Sequence, residues 1–132
     1  MKLVRKHIAV DIAYFVGTDE PTRGIFRGGV QEPAHLDGLV IDTIVDDIYD
    51  ESSDTFQTSG KTQLNVYGTR ESYRALAQCL LSMCELETKD PGYHFHVEGI
   101  RGSDGSEAAH LILHLPWNED NSVSTVAPLD MR

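Results

Sequence analysis

The sequence predicts an α+β domain: an antiparallel sheet with one main amphipathic helix, at about 70–86, packed on one face. Three observations carry this. The elements run in the order strand, strands, helix, hairpin. One segment alone has a strong helical stripe. The runs on either side of it alternate apolar and polar side chains, as half-buried antiparallel strands do.

The helix is the clearest element. Thr69 suits an N-cap, and Glu71 lies in the first turn, where the macrodipole favours a negative charge. Tyr73, Leu76, Ala77, Leu80, Leu81 and Cys84 then recur at spacings of three and four, forming one apolar stripe. Before the helix, Val4, Ile8, Val10, Ile12, Tyr14 and Val16 share one strand face, broken only by Lys6, which predicts a strand over 4–16. Residues 17–35, with four glycines and two prolines, read as loop with at most a short strand near Gly24–Phe26. Val40, Ile41, Ile44, Val45 and Ile48 fit a helical stripe and also a strand alternation. Their β-branched density favours a strand over 38–46. Residues 50–60 read as an exposed acidic loop, and Gln63–Tyr67 as a short strand.

After the helix, Asp90-Pro91-Gly92 launches a hairpin of two histidine-bearing strands. Tyr93, Phe95 and Val97 share one face, with His94, His96 and Glu98 opposite. In the partner strand Ala109, Leu111, Leu113 and Leu115 face the core, with His110, Ile112 and His114 opposite. Pairing Glu98 with Ala108 sets His96 across from His110 and His94 across from Ile112. The apolar face is expected to rest on the helix stripe.

The chain of 132 residues is the length of a single domain, taken here as 1–117. Residues 118–132 lack periodicity and read as a mobile tail. Hydrophobic content of 40% with 24% charged residues suits a globular chain that needs no staples to fold. Cys79 and Cys84 point in different directions on the helix, so no disulfide is expected and a cytoplasmic location is the simpler one. Asp11 interrupts the N-terminal apolar run, and no stretch is long enough to span a bilayer.

Net charge is −10, with a pI near 4.8. Nucleic-acid binding needs clustered Lys and Arg to neutralise phosphates, and none is present, so direct binding to nucleic acid is not expected. The acids concentrate in Asp42, Asp46, Asp47, Asp50, Glu51 and Asp54. They lack EF-hand spacing and its central glycine. They read either as a landing patch for a basic partner or as a solvated edge that resists aggregation.

The histidine face offers a second chemistry. A His-x-His on one strand with a third histidine on its neighbour matches three-histidine zinc ligation, which leaves one position for water. His94, His96 and His110 meet that description, with His114 as a possible fourth ligand and Glu98 as base or orienter. The other reading is ordinary sheet surface. No nucleophile elbow, phosphate-binding loop or dinucleotide fingerprint is present. The chain therefore reads as non-catalytic unless zinc is held, and zinc is the only cofactor considered.

The block from Leu64 to Ala77 carries a short strand, Gly68-Thr69, acidic Glu71 and a leucine- and alanine-rich helix. It is followed by Gly92-Tyr93-His94-Phe95-His96 and Leu111-Ile112-Leu113. This pattern resembles the immunity protein 32 family of bacterial polymorphic-toxin systems, over about residues 62–116 and less than half of the chain. The resemblance implies a cytosolic antidote that occludes a cognate toxin domain, and it brings no catalytic residues. A toxin acting on nucleic acid would be basic, which fits an acidic inhibitor. A homodimer through a free sheet edge is the blander alternative.

Overall fold

Helix α1 spans Arg70–Glu85 in the computed structural model, which describes residues 1–17, 27–106 and 111–117. Its start follows from local chemistry. The Ser72 N–H donates to Thr69 Oγ1 at 3.0 Å, and the two hydroxyl oxygens are also 3.0 Å apart. The buried face is not the expected apolar stripe. It consists of Ser72, Ala75, Cys79, Ser82 and Met83, while Tyr73, Leu80 and Leu81 are 49%, 48% and 43% exposed. Cys84 is exposed as well. Small side chains at 72, 75 and 79 let the helix backbone approach the core closely; of the expected stripe Leu76 still packs on the core, while Tyr73, Leu80, Leu81 and Cys84 are turned outward. The Thr69 oxygen meets the buried Ser72 hydroxyl, so burial of that polar group is not penalised.

The strands form three antiparallel ribbons. In the first, β1 (Tyr14–Val16) pairs with β2 (Gly28–Val30). The strand expected over 4–16 thus shrinks to three residues, and part of the expected loop becomes its partner. Only as much of the N-terminal run is laddered as β2 is long, with one further bond from Gln31 N–H to the Ala13 carbonyl at 3.2 Å. The expected strand near Gly24 lies outside the described residues. The Val30 N–H donates to Tyr93 Oη at 2.8 Å, fastening this ribbon to the histidine hairpin. Gly29, at φ 136°, sits so close to the Tyr93 ring that a Cβ would lie 2.5 Å from its hydroxyl.

In the second ribbon, β3 (Val40–Asp50) pairs with β4 (Thr55–Tyr67). Both are longer than expected. The acidic loop contracts to a turn at Glu51–Asp54; residues 55–60 become part of β4, with 55–58 paired in the ladder. The Asp50 carboxylate accepts the Ser52 N–H at 3.0 Å and its hydroxyl at 2.7 Å, forming a tight turn that needs no longer loop. A bulge falls between Val45 and Asp47, opposite Gly60 at φ 78°.

In the third ribbon, β5 (His94–Val97) pairs with β6 (Leu111–His114). The core joins Leu36, Leu39, Ile41, Ala75, Cys79, Val97 and Ile100, with Leu76, Phe95, Leu111 and Leu113 packed around it. The inner face of the histidine hairpin therefore meets α1 as expected, but on the small-residue side of the helix. Residues 118–132, read as a tail, lie outside the described residues. Among the described residues no helix is long and apolar enough to cross a membrane.

Candidate functional site

The β3–β4 ribbon is an arm. Ile41 is its last buried residue, and no side chain described between Asp42 and Asn65 is buried. At roughly 3.3 Å per residue, an eleven-residue strand extends about 35 Å. Opposed residues of the ladder share a face. One face carries Thr43, Val45, Asp47 and Tyr49 with Leu64, Thr62, Thr58 and Phe56. The other carries Asp42, Ile44, Asp46, Ile48 and Asp50 with Asn65, Gln63, Gln57 and Thr55. Apolar groups are open to water on both: Val45 is 51% exposed, Ile48 58%, Leu64 60% and Phe56 72%. The Tyr49 and Phe56 rings lie 5.4 Å apart, one cross-strand pair in an otherwise uncovered row.

Residues 40–67 hold six acids and a single basic residue, Lys61. The six acids, singled out as one patch, divide by role. Asp42 accepts the Ser103 N–H at 2.8 Å and ties the arm's base to the loop after β5. Asp50 holds the turn and also accepts from Gln57 Nε2 at 3.0 Å; the Ser52 hydrogen bonds lower its pKa below 3.8. Asp54 accepts the Tyr49 hydroxyl, and that bond raises the Tyr49 pKa above 10.0. Asp47 has only a long contact, 3.5 Å, from the Thr58 hydroxyl. Asp46 is half-buried, beside Ile44 and Ile48, and Glu51 is exposed at the tip. The sequence reading missed the apolar partners of these acids. Tyr49 and Phe56, flanking a four-residue polar turn, were the available hairpin signal.

The histidine hairpin is paired two residues away from the expected register. His94 faces His114, and His96 faces Ile112. A shift of two keeps every side chain on its predicted face. It arises because Ile100 is buried in the core and Arg101 bridges to Val40, with the Ile41 N–H donating to the Arg101 carbonyl at 2.9 Å. The chain after Val97 thus leaves the hairpin for the body. Centroids of the His94 and His96 rings are 4.8 Å apart, and those of His94 and His114 5.6 Å. His110 lies outside the described residues. Among the described residues no group of three or more His, Cys, Asp or Glu side chains is arranged to hold a metal ion.

A cleft of about 720 Å³ runs between α1 and residues 8–13, lined by Ile8, Val10, Ile12, His35, Arg74 and Gln78 among others. Gln78 Nε2 donates to the Asp11 carbonyl at 3.1 Å across it. Cys79 is fully buried on the inner face of α1, and burial, with the Glu32 charge, pushes its thiol up to about 11, which disfavours the reactive thiolate. Comparison of the chain with protein-family models, with characterised proteins and with solved structures gives no match.

Proposed function

We propose that this chain is a non-catalytic cytoplasmic binding protein of the immunity class, neutralising a basic toxin domain by occlusion. One observation carries the reading: the β3–β4 arm holds six acids and an uncovered row of large apolar side chains, clear of the core. Exposed apolar surface of this kind marks an interaction site. Two strands alone are marginal in water, so a partner that covers them also stabilises them. The acids would steer a cationic cleft onto the arm, and Ile44, Ile48, Tyr49 and Phe56 would hold it there. The resemblance of residues 62–116 to the immunity protein 32 family points the same way.

The test is association with the toxin domain encoded beside this chain, the chain being immobilised at low density so that each copy acts alone. Asp46→Asn with Asp47→Asn and Asp50→Asn should slow association at least about tenfold at low salt and flatten its salt dependence. An unchanged rate and slope would overturn the assignment.

A second reading is the small zinc-binding protein or metal-dependent hydrolase expected from His94, His96 and His110, with His114 as a fourth ligand; it depends on His110, because the described histidines form no metal-holding group by themselves. His94 Nδ1 lies 3.0 Å from the Gly92 carbonyl. A carbonyl only accepts, so a neutral His94 ring in this contact carries its proton on Nδ1 and keeps Nε2 as the acceptor, the tautomer a metal ligand needs. Under this reading elemental analysis of untagged protein finds one zinc per chain, lost on His96→Ala. Metal-free protein whose thermal stability is indifferent to chelators removes it.

A further inference from the structure

The N-terminal run is strand-like in sequence, yet residues 2–8 lie in no strand and have no backbone partner among the described residues. Leu3, Val4 and Ile8 are 77%, 63% and 72% exposed. The same segment gathers Lys2, Arg5 and Lys6, in a chain with only eleven basic residues against twenty-one acids. It is a strand without a ladder, positively charged.

The arm presents the complement. Beyond Asp42 the outer edge of β3 pairs with no described residue; the Arg101 bridge reaches only its base. Such an edge accepts an added strand through its free N–H and C=O groups. Residues 44–50 form this stretch, equal in length to residues 2–8. Setting the two antiparallel with Ile8 opposite Ile44 fixes every other pair. Lys6 meets Asp46, Arg5 meets Asp47, and Lys2 meets Asp50. Val4 meets Ile48 and Leu3 meets Tyr49. His7 against Val45 is the one pair without complementarity. A shift of this register by one residue keeps fewer charge pairs: Lys6 with Asp47 and Lys2 with Glu51 in one sense, and Arg5 with Asp46 alone in the other. Directly opposed side chains in a ladder lie about 5 Å apart, well inside the ~10 Å screening length at moderate salt.

We propose that residues 2–8 of one chain add as an antiparallel strand to residues 44–50 of a second copy, and reciprocally, giving a symmetric strand-exchanged dimer. The occupant is a second copy because the segment is anchored at its far end on its own helix, where the Asp11 carbonyl takes the Gln78 amide and Ile8–Ala13 line the α1 cleft. The exchange is reciprocal, since each copy carries both halves. This inference is independent of the toxin reading. Both use Asp46, Asp47 and Asp50, so a cationic partner and the second copy compete for the arm.

Sedimentation equilibrium of the full chain tests it. The native protein should have twice the 14.7 kDa chain mass. K2E/R5E/K6E, which leaves the acidic arm intact, should raise the dissociation constant roughly a hundredfold or more. D46K/D47K/D50K should do the same. Mixing the two triple variants should restore the doubled mass, because each strand then meets an arm of opposite charge; this rescue also excludes misfolding as the cause. A native protein of single-chain mass overturns the proposal, as does a dimer indifferent to both triple variants. A native monomer whose thermal midpoint falls with K2E/R5E/K6E and recovers when all six charges are swapped also overturns it, placing the strand on its own arm.

Discussion

Single carboxylates in the arm differ in what they do, although the sequence presents them as one run. Asp42 receives a backbone N–H from Ser103 and so joins the arm to the body, whereas Asp46 projects beside two isoleucines. Asp42→Ala should lower unfolding free energy by about 1 kcal/mol, the cost of one charge-assisted bond at a partly solvated site. Asp46→Ala should stay within about 0.5 kcal/mol, as surface substitutions without a partner do. Denaturant titration of the two variants separates them. The cysteines divide in the same way. Cys84 is exposed, while Cys79 is buried with its thiol at about 11. A thiol reagent at mildly alkaline pH should modify one cysteine in the folded protein and both after unfolding. Rapid modification of Cys79 in the native state would mean that the core beneath α1 opens readily. Their five-residue separation put them on different bearings, as the sequence predicts, but the sequence placed Cys84 in the inward stripe, whereas the fold buries Cys79 instead.

At the scale of elements, legibility depended on whether local chemistry or a distant partner decided the outcome. Helix α1 was legible almost to the residue, because Thr69 and the spacing of its apolar groups lie within it. The side it buries was not, because the choice was made by how closely Leu36, Leu39 and Ile41 could approach Ser72, Ala75 and Cys79. The faces of the histidine strands were legible from alternation alone. Their register was not, because Ile100 and Arg101 draw the following chain into the body and set where pairing stops. The run over 4–16 alternates as a strand, broken only by Lys6, yet among the described residues only Tyr14–Val16 is laddered to another strand. Alternation reports a readiness to pair, not the presence of a mate. That distinction makes residues 2–8 informative: their sequence is strand-like, their side chains are exposed, and the edge that matches them belongs to an arm that no other described element covers.

In the whole molecule, charge and exposed apolar surface are segregated. The core beneath α1 is made of aliphatic and small side chains, and the arm carries six of the twenty-one acids. An isolated acidic patch at a protein surface serves solubility as well as recognition. The combination with Ile44, Ile48, Tyr49, Phe56 and Leu64, all exposed on two strands that no other described element covers beyond their base, does not serve solubility. An arm of this kind would gain stability from a covering surface, which is the role proposed for a second copy or a cationic partner. The overall charge has the sign that speeds approach of such a partner, and salt should slow that approach as it screens the arm.

The most direct test of the arm as the recognition surface is the association rate with a basic toxin domain, the partner proposed above, across a salt series. It would be measured for single immobilised copies of the native chain and of the Asp46→Asn, Asp47→Asn, Asp50→Asn variant. The account predicts a steep fall in the native rate with salt, and a variant that starts about tenfold slower and barely responds. Equal rates with equal salt slopes would contradict it and move recognition away from the arm.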